Sequence, residues 1–327
     1  MGLLFDKLGQ KSFKTVQIDL QNKQVSFQVT EGPRILAGRG SAAGGMVSGK
    51  PVVAGGSSWN ADGTLKTFRN DTEIFENGEW KKGPDLPTGL AEGAFAQARD
   101  GLYLAGGWSA ADHASFVACR IVDIDGKIKV FPLPDLPLTL AACQGAIADG
   151  KFFVICGQPQ GRSATNRIWA LDISDPNAKW VEKSPLPGVA RAYPGVVECN
   201  GSLYIFGGLA DGTDSVHDRT LRDAYRYDPL ADRWNPLGNL SMPGYCWSAA
   251  PLDSKHILVA GRADGQVHDE VWLLDLETLN ASRVGKTVIQ TTCAPLINVS
   301  ENKWWLIGGE PDSHKHRTNR VSEISIP

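Results

Sequence analysis

The sequence predicts an all-β, six-bladed propeller, and three observations carry that reading. An apolar run closed by a pair of glycines recurs along the 327 residues. The recurrence keeps a period near 50 residues. No stretch carries the 3.6-residue periodicity of an amphipathic helix.

The clearest copy is Leu203-Tyr204-Ile205-Phe206-Gly207-Gly208. Val52-Val53-Ala54-Gly55-Gly56 and Leu102-Tyr103-Leu104-Ala105-Gly106-Gly107 precede it. The third copy places Cys156 in the first glycine slot, the fifth places Arg262 in the second, and the sixth ends on Gly308-Gly309. The runs close at 56, 107, 157, 208, 262 and 309, in steps of 51, 50, 51, 54 and 47. A fixed period of this size marks stacked supersecondary units, each burying its apolar face on its neighbours.

The elements follow in order. Residues 1–13 carry no pattern and read as a tail. Residues 15–20 and 25–29 read as two strands around a polar turn. They match the outer half of a blade, as in 223–228 and 232–236, but no inner half precedes them. At the other end, 291–298 and 304–309 form inner strands with only 320–326 left to follow. The propeller is therefore expected over 14–327, with blade six shared between 14–29 and 290–327. Such closure leaves no free edge between first and last blade. Both 321–326 and 16–20 suit the third strand of that blade.

Within each blade the innermost strand is small and apolar. A tight turn follows, such as Asp100-Gly101, Asp149-Gly150 or Asn200-Gly201, in the manner of hairpins that need positive φ. The glycine-closed strand comes next, then an aromatic strand. A fourth carries Trp80, Trp180 or Trp234, with Leu86, Leu186 or Leu240 six residues later. Tryptophans recurring at one blade position read as packing between blades. The glycines read as backbone requirements, for positive φ or close approach.

Composition narrows the function classes. A formal charge of −3 with no run of like charges points away from nucleic acid and membrane partners. No apolar stretch approaches the roughly 18 residues that cross a bilayer. No signal-peptide pattern is visible in residues 1–11, so a cytoplasmic location is expected, or a periplasmic or secreted one if the N-terminus is processed. The six cysteines form no C-x-x-C pair and are expected to be reduced and buried.

Blade topology puts the loops between blades and the loops after each glycine pair on one face, around the channel mouth. Fifteen residues before the second glycine slot stand Ser41, Glu92, Ala142, Tyr193, Trp247 and Ala294. Two residues earlier stand Arg39, Leu90, Leu140, Arg191, Tyr245 and Thr292. Just after the glycines stand Ser57, Trp108, Gln158, Leu209, Ala263 and Glu310. The repeat does not demand charge at these places, so Arg39, Glu92, Arg191, Arg262 and Glu310 are the informative departures. The loops add Arg69, Asn70, Arg162 and Arg317. A ring of guanidinium and amide donors suits a carboxylate, because guanidinium grips carboxylate bidentately. The alternative is inter-blade salt bridges and solvated loops. His314-x-His316 is read as a solvated pair, and no metal or cofactor is expected.

Taken together, residues 14–327 resemble the kelch superfamily. Gly308-Gly309-Glu310 followed by Arg317-Thr318 is similar to the glutamate and Arg-Thr pair of the sialic-acid mutarotases, although the Glu–Arg spacing here is longer by one residue. Residues 68–71 after Gly55-Gly56 are similar to their early blades, and the shared terminal blade resembles their cyclically permuted members. The resemblance implies a cofactor-free isomerase that speeds anomer exchange of N-acetylneuraminate or a related acidic sugar. It implies Glu310, Glu92 and Arg317 as catalytic residues. With the positions read from the repeat and its loops, the candidate substrate-binding residues are Arg39, Arg69, Asn70, Trp108, Gln158, Arg162, Arg191, Tyr193, Trp247 and Arg262. The partner would be a small acidic sugar. The alternative is a non-catalytic propeller that binds a protein or glycan.

Overall fold

The computed structural model describes residues 16–20, 23–161, 163–212 and 215–327. The expected tail, 1–13, and Arg162 lie outside the described residues. Among the described residues six antiparallel blade sheets stand beside two two-stranded ribbons, and each blade runs outward from a first strand at the axis. Those first strands are Ala43–Val47, Ala94–Gln97, Gln144–Ala148, Gly195–Cys199, Ser248–Pro251 and Leu296–Ser300. The four-stranded order of blades one to five is the same meander throughout. The one helical element among the described residues is a single turn, Val216–Arg219.

Blade six resolves the choice that the sequence leaves open. Its third strand is Val321–Ser325, paired with Lys303–Ile307. Lys23–Glu31 pairs on the outside of that strand as the fourth. Val16–Leu20 adds a fifth strand beyond it. Residues from both ends of the chain therefore complete one sheet.

The glycine corners explain the repeat. Both glycines have positive φ: +64° and +90° at Gly55 and Gly56, +68° and +97° at Gly106 and Gly107. The second one donates its N–H to the next blade: Gly56 to Leu90 O, Gly107 to Leu140 O, Gly208 to Gly244 O, Gly309 to Arg39 O, all at 2.7–2.8 Å. A Cβ on the first would meet the same carbonyl, 2.4 Å from it at Gly55, Gly106 and Gly207. Both requirements, left-handed backbone and close approach, select glycine. Cys156 occupies the first slot of blade three at φ +55°, so the slot accepts a small side chain there.

A second inter-blade tie comes from the tryptophans. The Nε1–H groups of Trp80, Trp180 and Trp234 donate to Pro33 O, Pro134 O and Ser184 O at 2.9, 2.7 and 2.9 Å. Each acceptor lies two residues before a buried anchor, Ile35, Leu136 or Leu186, in the strap that enters the blade from its neighbour. The packing role read from the sequence is the one observed.

Gly106→Ala and Gly150→Ala test the close approach directly. The two glycines share φ (+68° and +67°), but a Cβ at Gly150 meets nothing within 4 Å. Both variants bear the left-handed strain of about 1–2 kcal/mol. Gly106→Ala is expected to lose about 1–3 kcal/mol more through overpacking, read as the difference in urea midpoints.

Candidate functional site at the channel mouth

The loop leading into each blade pairs with the residue that follows its glycine corner. The bridges are Gly40–Ser57, Ala91–Trp108, Ala141–Gln158, Ala192–Leu209, Tyr245–Ala263 and Thr292–Glu310. The next residue along each loop is left-handed: Ser41, Glu92, Ala142, Tyr193, Cys246 and Cys293, with φ between +51° and +61°. These six form a ring. Ser41 N–H donates to Cys293 O (2.7 Å), Glu92 to Ser41 O (3.0 Å), Tyr193 to Ala142 O (2.8 Å) and Cys246 to Tyr193 O (3.0 Å). Five of the six, all but Ala142, line a cavity of about 520 Å³ that continues between the first strands.

Counting back from the glycine slots placed Trp247 and Ala294 in this ring, and the structure corrects both to Cys246 and Cys293. The reason is hairpin length. Strand ends pair across two-residue turns in other blades, as in Val47 with Lys50 and Cys199 with Ser202. In blade five the last pair is Pro251 with Ile257, which leaves a longer turn. In blade six the register shifts between Asn298 and Ser300. Each adds one residue to the count. Trp247 instead packs its indole edge-on against Phe206, with centroids 5.3 Å apart and planes at 90°. It is 3% exposed, packs in the seam between blades four and five, and borders the cavity.

Glu92 gathers donors from three directions. Lys66 Nζ lies 3.2 Å from Oε1, Trp108 Nε1–H donates to Oε2 at 2.9 Å, and Tyr193 Oη–H donates to the same oxygen. Lys66 reaches it from a small ribbon, Ser57–Trp59 with Lys66–Phe68, that grows from the corner of blade one. Burial first, and then the Glu92 charge, push the Tyr193 hydroxyl well above 10, which keeps it a donor at neutral pH.

Glu310 stands across the ring, directly after the last glycine pair. Its Oε1 accepts from Ser41 Oγ at 3.2 Å and faces Arg317 Nη2 at 3.0 Å. Oε2 receives no hydrogen bond from any described residue and is not sealed from solvent. Burial raises the carboxyl above its ordinary 4.5; Arg317 opposes this and the Glu92 charge adds to it. Arg317 also donates from Nη1 to His316 O at 2.9 Å, while its Nε is buried without a partner. The structure thus brings Glu310, Arg317, Glu92, Trp108 and Tyr193 to one mouth. Ser41 and Lys66 belong to the same group. Lys66 escapes the sequence because its ribbon has no counterpart in blades three to five.

The other predicted arginines go elsewhere. Arg39 is fully buried, donates to Gly55 O and Asp71, and pairs with Glu73. Arg191 is equally buried, donates to Gly207 O at 2.9 Å and grips Asp223 bidentately at 2.6 and 2.7 Å. The two are one device: each ties the carbonyl of a first-slot glycine to an acid 32 positions further on. Blade five has Gly244 at this place, and Arg262 fills the vacated space. It donates to Pro243 O and pairs with Asp264 at 2.9 and 2.7 Å. These three arginines are inter-strand clamps, which corrects their reading as substrate donors. Arg69 is also held, with Nε and Nη2 both 2.8 Å from Asp71. Burial pushes Asp71 up, but Arg69 and Arg39 together hold it below 3.8. Asn70 is exposed beside Arg69, and its carbonyl accepts from Leu86 N–H at 2.7 Å. Gln158 is half-buried at the corner of blade three. No group of three or more His, Cys, Asp or Glu residues arranged for a metal occurs among the described residues.

Known proteins share part of this sequence. A family model for N-acetylneuraminate epimerase matches residues 133–292, which takes in blades three to five. The chain resembles the N-acetylneuraminate epimerases. An epimerase of Haemophilus influenzae (strain PittEE) is 30% identical over 39% of this chain and 32% of its own length. One of Pasteurella multocida (strain Pm70) is 34% identical over 33% of this chain and 27% of its own. One of Salmonella enteritidis PT4 is 24% identical over 63% and 55%. The matches thus span about a quarter to a half of these relatives. Of the mouth residues, Tyr193 and Cys246 fall inside the family match, while Glu92, Glu310 and Arg317 fall outside it.

The clamps and the mouth cluster are separable by mutation. Arg191→Met strands the Asp223 carboxylate and is expected to destabilise the fold by on the order of 3 kcal/mol. Lys66→Met, on a surface ribbon, is expected to cost no more than about 1 kcal/mol. Chemical denaturation of the two variants side by side checks the contrast.

Proposed function

We propose that the channel mouth accelerates anomer exchange of N-acetylneuraminate or a closely related acidic sugar. The observation that carries this reading is Glu310. It is a half-buried carboxyl with a raised pKa and one oxygen that accepts no hydrogen bond from the described residues, and it faces the Arg317 guanidinium at 3.0 Å. The similarity to named epimerases supports the substrate class.

Anomer exchange needs little machinery. The anomeric hydroxyl loses a proton, the ring C–O bond breaks, and the ring oxygen gains a proton. The ring then closes on the other face of the carbonyl. Glu310 Oε2 takes the hydroxyl proton in the opening step and returns it after closure. A carboxyl tuned upward toward the working pH is better matched to this exchange than an ordinary one. Arg317 turns its Nη2 from Glu310 to the sugar carboxylate, and Lys66 beside Glu92 adds a second positive charge. Glu92 has both oxygens occupied, so it acts by positioning Tyr193 and Trp108. The ring oxygen takes its proton from solvent water at the open mouth and returns it when the ring closes, while Tyr193, its O–H given to Glu92, holds that carboxylate in place.

Magnetisation-exchange NMR between the two anomers of N-acetylneuraminate measures the rate with and without protein. Glu310→Gln is expected to slow exchange by about 10²–10⁴-fold, the usual worth of general acid–base catalysis. The wild-type rate is expected to fall as pH drops, with its midpoint above 4.5, because the carboxylate form is lost through a raised pKa. No acceleration by the wild-type protein, with sugar binding retained, would mark a non-catalytic binding module instead.

A further inference from the structure

Two cysteines of the mouth ring meet at the seam between blades five and six. Cys246 Sγ and Cys293 Sγ are 2.8 Å apart, within about 1 Å of the roughly 2.05 Å of a disulfide bond. They come from equivalent positions of neighbouring blades, so the same left-handed loop presents each one toward the axis. The remaining four cysteines are free and buried. Cys293 is half-exposed, both residues line the cavity, and the cavity is large enough to admit a small oxidant.

We propose that Cys246 and Cys293 are a dithiol pair that forms a reversible disulfide across the channel mouth, with a peroxide as oxidant. Cys293 reacts first, because it is the exposed member. Its thiolate attacks one peroxide oxygen, the O–O bond breaks, and Cys293 becomes a sulfenic acid while hydroxide leaves. Cys246 sulfur then attacks Cys293 sulfur, and the S–O bond breaks. The departing hydroxide takes the Cys246 proton as water. Two thiols have lost two electrons, and the peroxide has been reduced to two waters. Burial and the adjacent Cys293 push the Cys246 thiol well above 9, which suits it to the resolving role rather than the first attack. Reduction by a small dithiol reverses the bond by exchange. The resulting cross-link would join blades five and six beside Ser41 and Glu310.

Intact-mass measurement and peptide mapping test this without reference to sugar chemistry. The whole protein is treated with a small excess of hydrogen peroxide and then with dithiothreitol. The expected result is loss of two hydrogen masses, restored by the dithiol, with one linked peptide pair containing Cys246 and Cys293. Cys293→Ser is expected to abolish the loss, and so is Cys246→Ser, while Cys119→Ser keeps it. Circular dichroism confirms that each variant is folded. The proposal is overturned if the wild-type mass is unchanged, if other cysteines carry the link, or if Cys293→Ser still loses the two hydrogens. Failure here leaves the Glu310 reading standing, and failure of anomer exchange leaves this one standing.

Discussion

Everything at the mouth depends on one constraint, the close approach of backbone to backbone where each blade turns over the next. The second corner glycine gives its N–H to a carbonyl of the following blade, and the first has no room for a Cβ under that carbonyl. This fixes the pitch between blades at main-chain precision. The lead-in loops are then held in a left-handed turn, and their side chains converge on the axis. Side-chain packing alone, with its rotamer freedom, would not set six loops so alike.

Polar groups near that constraint divide into two sets. Arg39, Arg191 and Arg262 are buried and bound on several donors, and they hold strands and corners together. Glu310 and Arg317 are half-buried at the mouth, and Glu310 Oε2 accepts no hydrogen bond from the described residues. The distinction lies in access: the clamps are sealed in the wall, while Glu310 Oε2 opens to solvent at the mouth.

That is also why the sequence shows the fold so well and the site only in part. Glycine spacing, strand alternation and the tryptophan position are periodic, so every blade confirms the others. Glu310, Arg317, Glu92, Trp108 and Tyr193 stood out as departures from the period and do converge. The buried arginines stood out equally, because a period cannot say whether a guanidinium points along the wall or into the opening. Asp71 and Asp223, 32 residues after Arg39 and Arg191, were the available signal for a clamp. The cysteine pair was hidden by a single added residue in two hairpins. Lys66 was hidden because nothing repeats it.

The shared sixth blade has a consequence for the order in which the molecule forms. Blades one to five are meanders of neighbouring segments and need only short loop closures. Blade six joins Lys23–Glu31 to Val321–Ser325, and the Ser41–Glu310 bond spans 269 positions. Closure entropy grows slowly, by about 0.6 kcal/mol per doubling of loop length, so the cost is bearable, but the event is non-local and late. Glu310 is therefore the last of the mouth carboxyls to lose its water. A chain that has folded five blades has most of its core but lacks the contact between Ser41 and Glu310, which ties chemical competence to completion of the circle.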